Sequence, residues 1–561
     1  MSGKLHLVLH SHLPYVMGHG TWPHGTDWLF EASAETYIPL LIAFKELEEK
    51  ALPFEMSIGL TPVLCEQLSH RQFAGALEAY LENKITSARQ NREVFYATGD
   101  KQLASLAEMW ENEYSKIKEF FDKEIKCDII GAFRSLQDRG KLEIITCAAT
   151  HGYLPLLGTD EAVKGQVFTG VKSYERHFGR PPRGIWMPEC AYRPSYNWKP
   201  PIGDDASFDR LGVEEILNSA GIDWTVADSH LLVGGESQGV YIDRFDSLKA
   251  LWTRFEKNYT PKISKGERTT LKPYLVSSTG KPEGTAFFFR DPETCLQVWS
   301  AEWGYPGNPA YLDFHKKHYP GGHRYWRITD VKADLADKKI YNPDWIEGAL
   351  EEQAEHFVKA VHEKLEDGGI LTAPFDAELF GHWWFEGPKW LAKVAEKIAE
   401  TPGIEMISGS KALEQSELDE VINIPEGSWG QGGFHYIWFN EWTEWTWKHI
   451  YETEKKMTEL VMKWNLAGNP KELIEPLKQA ARELLLLESS DWQFLISTWS
   501  ARDYAENRII FHHNAFVKLA EGIESILNGG SVTQEERTRY HLLEEQDNLF
   551  EDIDLQFWAK K

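Results

Sequence analysis

Three carboxylates follow two apolar stretches of the chain that are typical of buried strands. Glu189 comes after residues 184–187, and Asp376 and Glu378 come after residues 370–375. Side chains at the carboxyl ends of parallel strands can meet in one pocket. Two carboxyls held about 5–5.5 Å apart can break and remake a glycosidic bond with retention, one as the nucleophile and the other as the acid and base.

We expect Glu189 to be the nucleophile of such a pair and Asp376 to be its partner. Asp376 stands near Phe375 and Trp383, and a dry aromatic setting raises a carboxyl pKa toward the value that an acid catalyst needs. Glu378 would share a strand face with Asp376, so spacing alone leaves the choice between them open. A glutamate that caps a helix after the strand is the other interpretation of Glu189.

Histidines also stand at predicted strand ends. His10 and His12 are two residues apart and therefore point to the same side of an extended segment, and His151 follows the strand predicted for residues 141–147. Neutral imidazoles can hold sugar hydroxyls, and histidine is also a common zinc ligand. Structural histidines with satisfied hydrogen bonds are the third interpretation.

The composition favours an uncharged, ring-shaped ligand. Aromatic residues make up 13% of the 561 residues and include 23 tryptophans, five of them within residues 425–447. Flat indole faces stack well on the C–H faces of sugars, although an aromatic-rich core is the alternative. The formal net charge of −26 repels phosphate backbones and excludes a nucleic-acid partner.

The cysteines and the hydropathy pattern predict a cytoplasmic protein. The five cysteines contain no CxxC pair, which indicates a reducing compartment and no cysteine-based zinc site. The first residues contain no cleavable apolar core. No apolar run reaches the length of about 18 residues that a membrane-spanning helix needs.

Alternating strand and helix signals predict an α/β fold with a parallel sheet. We expect a barrel in residues 1–84 and 141–410, a helical insertion in residues 85–140, and a helical C-terminal domain in residues 411–561 that lends aromatic side chains to the pocket. About seven strands, each followed by His, Asp, Glu or Trp, are predicted at residues 4–9, 54–60, 141–147, 184–187, 223–228, 286–289 and 370–375.

Five motifs in chain order resemble those of glycoside hydrolase family 57, and in particular its 1,4-α-glucan branching enzymes. They are HSHLPYV, ITCAATHGYLPLL, GIWMPECAY, FDAELFGHWWFEGP and GSWGQGG with the following WFNEWTEWTW. The later stretch SSDWQFLISTWSARDYAENR is similar to the same enzymes, so the resemblance spans nearly the whole chain.

The resemblance implies an incomplete (β/α)7 barrel with a helical insertion and an α-helical C-terminal domain. It implies Glu189 as the nucleophile and Asp376, rather than Glu378, as the acid and base. It implies no metal and no cofactor, an α-1,4-glucan such as amylose, amylopectin or glycogen as substrate, a role in glycogen biosynthesis, and a monomer or small homo-oligomer. The substrate-binding residues expected with it are His10, His12, Trp22, Trp28, His151, Arg290, Trp299, His382, Trp429, Trp438 and Asp491.

Branching requires that a sugar hydroxyl, and not water, takes the glycosyl unit, so a lid over the pocket is expected. We predict the lid in residues 231–283, with Tyr241 or Tyr259 at its tip. The alternatives are an α-amylase or 4-α-glucanotransferase of the same family, a metal hydrolase built on His10 and His12, and a glycan-binding protein without catalysis.

Overall fold

The computed structural model describes residues 2–203, 205–234, 268–281, 283–300 and 304–560. Tyr241 and Tyr259, and most of the predicted lid, lie outside these residues. The described strands are β1 Gly3–Ser11, β2 Met56–Leu60, β3 Leu142–Cys147, β4 Gly184–Trp186, β5 Tyr196–Trp198, β6 Phe208–Arg210, β7 Trp224–Ala227, β8 Tyr274–Val276, β9 Thr285–Phe289, β10 Ile370–Asp376, β11 Ile404–Met406 and β12 Val421–Ile422.

Seven parallel strands form the centre of the molecule, in the spatial order β10-β1-β2-β3-β4-β7-β9. The end of β9 approaches the first half of β10: Arg290, directly after β9, forms an isolated parallel bridge with Thr372, and the Asp291 N–H donates to the Thr372 carbonyl at 2.9 Å. β8 pairs antiparallel with β9, and β12 and β11 pair with β8 and β1. The predicted incomplete (β/α)7 barrel is confirmed.

The central strands have the composition that burial on both faces requires. In β1, Leu5, Leu7, Val8 and Leu9 are all fully buried. A strand of a parallel sheet is covered by helices outside and by other side chains inside, so it is nearly continuously apolar rather than alternating. The apolar runs that predicted the seven strands have this physical origin.

Helices alternate with the strands and then form the C-terminal part. They are α1 Thr26–Ala32, α2 Ile38–Glu49, α3 Pro62–Leu68, α4 Phe73–Ala97, α5 Lys101–Glu119, α6 Ile129–Asp138, α7 Asp160–Phe178, α8 Val213–Ser219, α9 His230–Val233, α10 Pro292–Trp299, α11 Ile346–Lys364, α12 Gly387–Glu400, α13 Gly409–Glu414, α14 Glu444–Leu466, α15 Ile474–Leu487, α16 Asp491–Thr498, α17 Arg502–Leu527 and α18 Gln534–Gln546. None of the helices in the described ranges is long and apolar enough to cross a membrane.

The helix before the Glu189 strand shows how local signals set these bounds. Thr159 accepts a hydrogen bond from the Ala162 N–H with its side chain, which caps the first turn of α7. Gly179 ends the helix in the left-handed conformation at φ 70°, which glycine adopts without steric cost. The chain then turns into β4, and Glu189 follows that strand.

The middle and end of the chain are helical, as expected. α4 packs along α5 in a helical hairpin, and α4 passes through residue 85, where the predicted insertion begins. α15 lies between α14 and α17 and buries Leu484–Leu487 completely or nearly so. The division into a barrel, an insertion and a C-terminal domain stays a prediction.

One local prediction is wrong. The sequence of residues 207–219 by itself predicts a helix near that range, but residues 208–210 pair with residues 196–198 in the hairpin of β5 and β6, and α8 begins only at Val213. The Arg210 guanidinium lies 4.9 Å from the Trp198 ring centre and its Nε donates to the Asp160 carboxylate at 2.6 Å, so tertiary contacts override the local helical pattern.

Candidate active site

Glu189 lies in a tight turn at the carboxyl end of β4. The turn Pro188–Cys190 holds Glu189 at φ 60° and Cys190 at φ 48°, a left-handed conformation that is uncommon for residues other than glycine. The Glu189 carbonyl accepts from the Trp429 N–H at 3.1 Å, and the Cys190 N–H donates to the Met187 carbonyl at 2.8 Å. Strained backbone of this kind is maintained only where surrounding contacts fix it, and it is concentrated at functional sites.

The Glu189 carboxylate is largely buried and accepts a strong hydrogen bond. The Trp429 indole Nε1 donates to Oε2 at 2.7 Å, and His151 Nδ1 lies 3.9 Å from Oε1. Burial raises the pKa of Glu189 to about 8, the Trp429 hydrogen bond opposes this rise, and the charges of Asp376 and Asp491 add to it. The pocket therefore disfavours a second negative charge beside Asp376.

Asp376 ends β10 directly beside His10 of β1 in the sheet register. Its charge raises the pKa of both Glu189 and Glu378, so its carboxylate lies within electrostatic reach of the two. Trp299 is attached to the end of β10, because its indole N–H donates to the Pro374 carbonyl at 3.1 Å. The carboxylates of Asp376 and Glu189 therefore lie within electrostatic range of each other.

Glu378 has a different environment. Its Oε1 accepts from the Tyr37 hydroxyl at 2.6 Å and from the His12 N–H at 3.1 Å. Burial raises its pKa to about 8, although the Tyr37 hydrogen bond opposes the rise. These bonds tie Glu378 to β1 and to the helical segment that carries Tyr37.

His10, His12 and His151 form a stack against the barrel end. His10 lies flat on Trp186 with ring centres 4.5 Å apart, and His12 lies on His151 at 4.0 Å. His10 Nε2 and His151 Nε2 are within hydrogen-bond distance, at 3.1 Å. Burial is the first cause that lowers the pKa of His10 and His151 well below 6.5, so both rings are neutral.

Asp491 comes from the first turn of α16 and joins this stack. His12 Nε2 is 2.9 Å and 3.0 Å from its two oxygens, and the Ser489 hydroxyl donates to it at 2.6 Å. Burial alone would raise the pKa of Asp491, but His12, His151 and Ser489 bring it below its ordinary value. The C-terminal part of the chain therefore contributes a charge to the pocket.

Two groups in the pocket have ligand atoms close enough for a metal ion. The first group is His10, Cys147 and His151, and the second is His12, His151 and Asp491. In each group the ligand atoms lie within 4.8 Å of one another. In the second group both His12 nitrogens already have partners, since Nδ1 meets the Thr61 hydroxyl at 3.2 Å and Nε2 meets Asp491. A metal there would have to replace the Asp491 bond.

The predicted tryptophans divide into three environments. Trp429 lies edge-on to Trp186 and Trp299, with ring centres 5.1 Å and 5.6 Å away, and thus lines the pocket. Trp28 is half-buried, while Trp22 is 71% exposed on the loop before it. Trp438 is only 1% exposed and stacks on the buried Tyr153 at 4.4 Å.

Two further predicted residues belong to neighbouring clusters. Arg290 is buried and forms an ion pair with Asp228, while its charge lowers the pKa of the Cys190 thiol against the effect of burial. Arg290 therefore lies within electrostatic range of the turn that carries Glu189. His382 Nδ1 is 2.8 Å from the Glu35 carboxylate, on the side of the pocket where Tyr37 holds Glu378.

A hydrogen-bonded chain that the sequence did not reveal joins the barrel to the aromatic segment 425–447. The Tyr153 hydroxyl lies 2.9 Å from His435 Nδ1, and His435 Nε2 lies 2.9 Å from the Glu426 carboxylate. Tyr196 donates its hydroxyl to the same carboxylate at 2.8 Å. His435 lies between the two parts of the motif in residues 427–447, and no spacing rule pairs it with Tyr153, 282 positions away.

Two regions of the chain match known protein families. Residues 6–425 match the family Glycosyl hydrolase family 57, and residues 449–558 match the family 1,4-alpha-glucan branching enzyme, C-terminal. The chain is 42% identical, over 99% of its length and 78% of the relative, to a curated 1,4-alpha-glucan branching enzyme of Thermococcus kodakarensis.

Two solved structures match the fold over the whole of this chain. A crystal structure of a branching enzyme from Pyrococcus horikoshii is 40% identical with a TM-score of 0.88, covering 100% of this chain and 97% of that one. The α-amylase AmyC of Thermotoga maritima is 29% identical with a TM-score of 0.80 over 100% of both chains. The match over residues 6–425 and the identity to the archaeal relative show that the chain belongs to glycosyl hydrolase family 57.

Proposed function

We propose that this protein is a 1,4-α-glucan branching enzyme, which cleaves an α-1,4 bond of a glucan and joins the released end to another chain through an α-1,6 bond. One observation carries the proposal. The indole N–H of Trp429, from the aromatic segment 425–447, donates a hydrogen bond to the Glu189 carboxylate, and the Asp376 charge raises the pKa of the same carboxylate. The family match supplies the substrate class.

In the first step, Glu189 attacks the anomeric carbon of a glucose unit. The bond from that carbon to the O4 of the next unit breaks, and Asp376 gives its proton to O4, which leaves as a hydroxyl. The donor chain is then an ester of Glu189. In the second step, the 6-hydroxyl of an acceptor glucose attacks the same carbon, the ester bond breaks, and Asp376 takes back the proton.

This cycle needs one proton on the two carboxyls, and the pocket favours that state. Since burial and the neighbouring charges raise the pKa of Glu189 to about 8, the pair holds one proton at neutral pH. The reaction needs this proton on Asp376. The Trp429 N–H is the group in contact with Glu189 that stabilises its charge, so it favours the productive distribution.

The stacked histidines and the tryptophans position the sugar and limit the access of water. His10 and His151 are neutral and buried, so they can bind hydroxyl groups without adding a positive charge. Trp429 contacts Glu189, and Trp186 and Trp299 pack edge-on against Trp429, which adds apolar surface to this side of the pocket. Retaining chemistry in a dry site favours a sugar acceptor over hydrolysis.

The remaining assignments follow from this activity. We propose that the enzyme works in the cytoplasm, in glycogen biosynthesis, on amylose-like chains, as a monomer or small homo-oligomer. The five cysteines all lie in the described ranges and none forms a disulfide, in keeping with a reducing compartment.

Product analysis on amylose tests the proposal and separates it from the α-amylase alternative, which the likeness to AmyC favours. Branching creates α-1,6 bonds, detected by debranching and chain profiling, without new reducing ends. Glu189→Gln and Asp376→Asn should remove the activity without changing the melting temperature. An increase in reducing ends with no debranchable product would assign hydrolysis instead, and full turnover by Glu189→Gln would exclude the mechanism.

A further inference from the structure

A pair of tryptophans lies on the surface at the far end of the helix that contributes Asp491 to the pocket. Trp499 follows the last residue of α16 and is 57% exposed. Trp442 is partly buried, and the two ring centres are 5.4 Å apart with the planes inclined by 50°. Neither ring is used by the mechanism above.

The backbone of Trp499 is unusual for so large a residue. It ends α16 in the left-handed conformation, at φ 59° and ψ 16°. Glycine is the common residue at this position of a helix, and bulky residues there are rare because the conformation is strained. A strained conformation that directs an apolar ring into solvent does not improve folding, and such strain is typical of binding and catalytic sites.

The two rings are held in place before any ligand arrives. The Arg502 guanidinium lies 5.6 Å from the Trp499 ring centre, and the Trp442 carbonyl accepts from the Trp445 indole at 3.0 Å. Buried Asn440 joins both segments, because it accepts from the Trp442 N–H at 2.9 Å and donates to the Ser497 hydroxyl at 2.9 Å. A rigid aromatic surface binds with a small loss of conformational entropy.

A short helix links this surface to the active site. α16 begins at Asp491, which binds His12, and ends at Trp499 after eight residues, so it spans about 12 Å. Tyr504, shortly after Trp499, packs edge-on against Trp28 of α1 with ring centres 5.6 Å apart. Trp499 therefore lies one short helix away from Asp491 of the pocket.

We propose that Trp442 and Trp499 form an auxiliary glucan-binding surface that holds an α-glucan chain outside the catalytic pocket. The ligand chemistry follows from the rings, which offer flat neutral faces beside the Arg502 N–H groups and suit a neutral sugar polymer. The protein's net charge of −26 does not repel such a chain. The inference rests on the proposed function for the identity of the polymer as an α-glucan.

A matched control is present on another face of the molecule. Trp345 is 55% exposed and lies under the Arg327 guanidinium at 5.5 Å, so its exposure and its cationic neighbour resemble those of Trp499. Its backbone is helical, at φ −88°, and it lies in a short turn before α11. It shares neither the strain nor the helix that leads to the pocket.

The test is retardation in native gels that contain amylopectin, with all variants made in a Glu189→Gln background so that the polymer is not altered. Trp499→Gly and Trp442→Ala should each raise the dissociation constant about fivefold or more, as removal of an aromatic anchor does. Trp499→Phe, which keeps a ring, should restore most of the binding, and Trp345→Ala should behave like the parent.

Trp499→Gly also separates binding from folding. Glycine adopts the left-handed conformation without strain, so the melting temperature should stay the same or rise while binding is lost. Unchanged retardation of Trp499→Gly, or an equal loss for Trp345→Ala, would overturn the proposal. A change of oligomeric state in light scattering for Trp499→Gly would assign the rings to a subunit interface and would also overturn it.

The outcomes are independent of the proposed activity. If the wild-type chain forms no α-1,6 branches but the retardation pattern is as expected, the branching proposal fails and the binding surface stands. If the wild-type chain forms branches and Trp499→Gly binds amylopectin normally, only the binding surface fails.

Discussion

Replacing Trp429 by phenylalanine tests the proposed role of the hydrogen bond to Glu189. The change keeps an aromatic ring against Trp186 and Trp299 but removes the indole N–H that donates to Oε2 at 2.7 Å. A hydrogen bond to a charged group is worth about 1.5–3 kcal/mol. If this stabilisation is lost from ionised Glu189, kcat/KM should fall roughly 10- to 150-fold.

The pH profile gives the second measurement. The pKa of about 8 for Glu189 includes the effect of the Asp376 charge, so it describes the loss of the last proton that the two carboxyls share. Because the reaction needs that proton, this pKa sets the alkaline limb of activity. The Trp429 donor lowers this pKa. Its removal should therefore move the alkaline limb to higher pH, by about one to two pH units for the energy above.

The assay is the initial rate of branch formation on amylose between pH 5 and 10. Trp390→Phe is the control, since Trp390 is fully buried and its indole N–H has no acceptor among the described residues. A Trp429→Phe enzyme with kcat/KM within roughly threefold of wild type, or with an alkaline limb that is unmoved or lower, would refute the reasoning.

Three other perturbations follow from the same structure. Asp491→Asn removes a charge that raises the pKa of Glu189 and should move the alkaline limb to lower pH, opposite to Trp429→Phe, in the same rate measurement. Tyr37→Phe removes the 2.6 Å donor to Glu378 and should lower kcat without abolishing it, whereas Asp376→Asn should lower it by about a thousandfold or more; equal losses would reverse the assignment of the two acids. Arg290→Met leaves the Asp228 carboxylate buried without its guanidinium and should cost about 3–5 kcal/mol of unfolding free energy at pH 7, measured by urea denaturation. Arg290 and His230 hold the pKa of Asp228 below its unfolded value despite burial, so this stabilisation is present at neutral pH and is lost as the pH falls below about 4. A destabilisation by Arg290→Met that is as large at pH 3 as at pH 7 would contradict this explanation.

The seven strands could be predicted because their cause is local. The apolar residues of β1 and β10 are contiguous in sequence, and the polar residue that ends each strand marks the barrel rim. The positions of Glu189 and Asp376 follow from that rule. The left-handed turn at Glu189 and the same conformation at His151 could not be predicted, since neither residue is glycine and tertiary contacts impose the geometry.

The distribution of the tryptophans shows where sequence reasoning stops. Trp429 and Trp438 are nine positions apart in one aromatic segment, and the resemblance placed both in substrate subsites. The structure puts Trp429 against the Glu189 carboxylate, whereas Trp438 is buried and stacked on Tyr153. The turn between them decides which ring reaches the pocket, and that turn depends on the Glu426–His435 bond.

The contact between His12 and Asp491 joins positions 479 residues apart, and Trp429 reaches Glu189 across 240. During synthesis on a ribosome the barrel strands would all be available before Asp491 has emerged from the exit tunnel. Closing loops of this length costs conformational entropy, which is offset only by contacts that form late in folding. Catalytic competence is therefore acquired last, and a nascent chain that already contains both carboxylates still lacks the groups that set their charge.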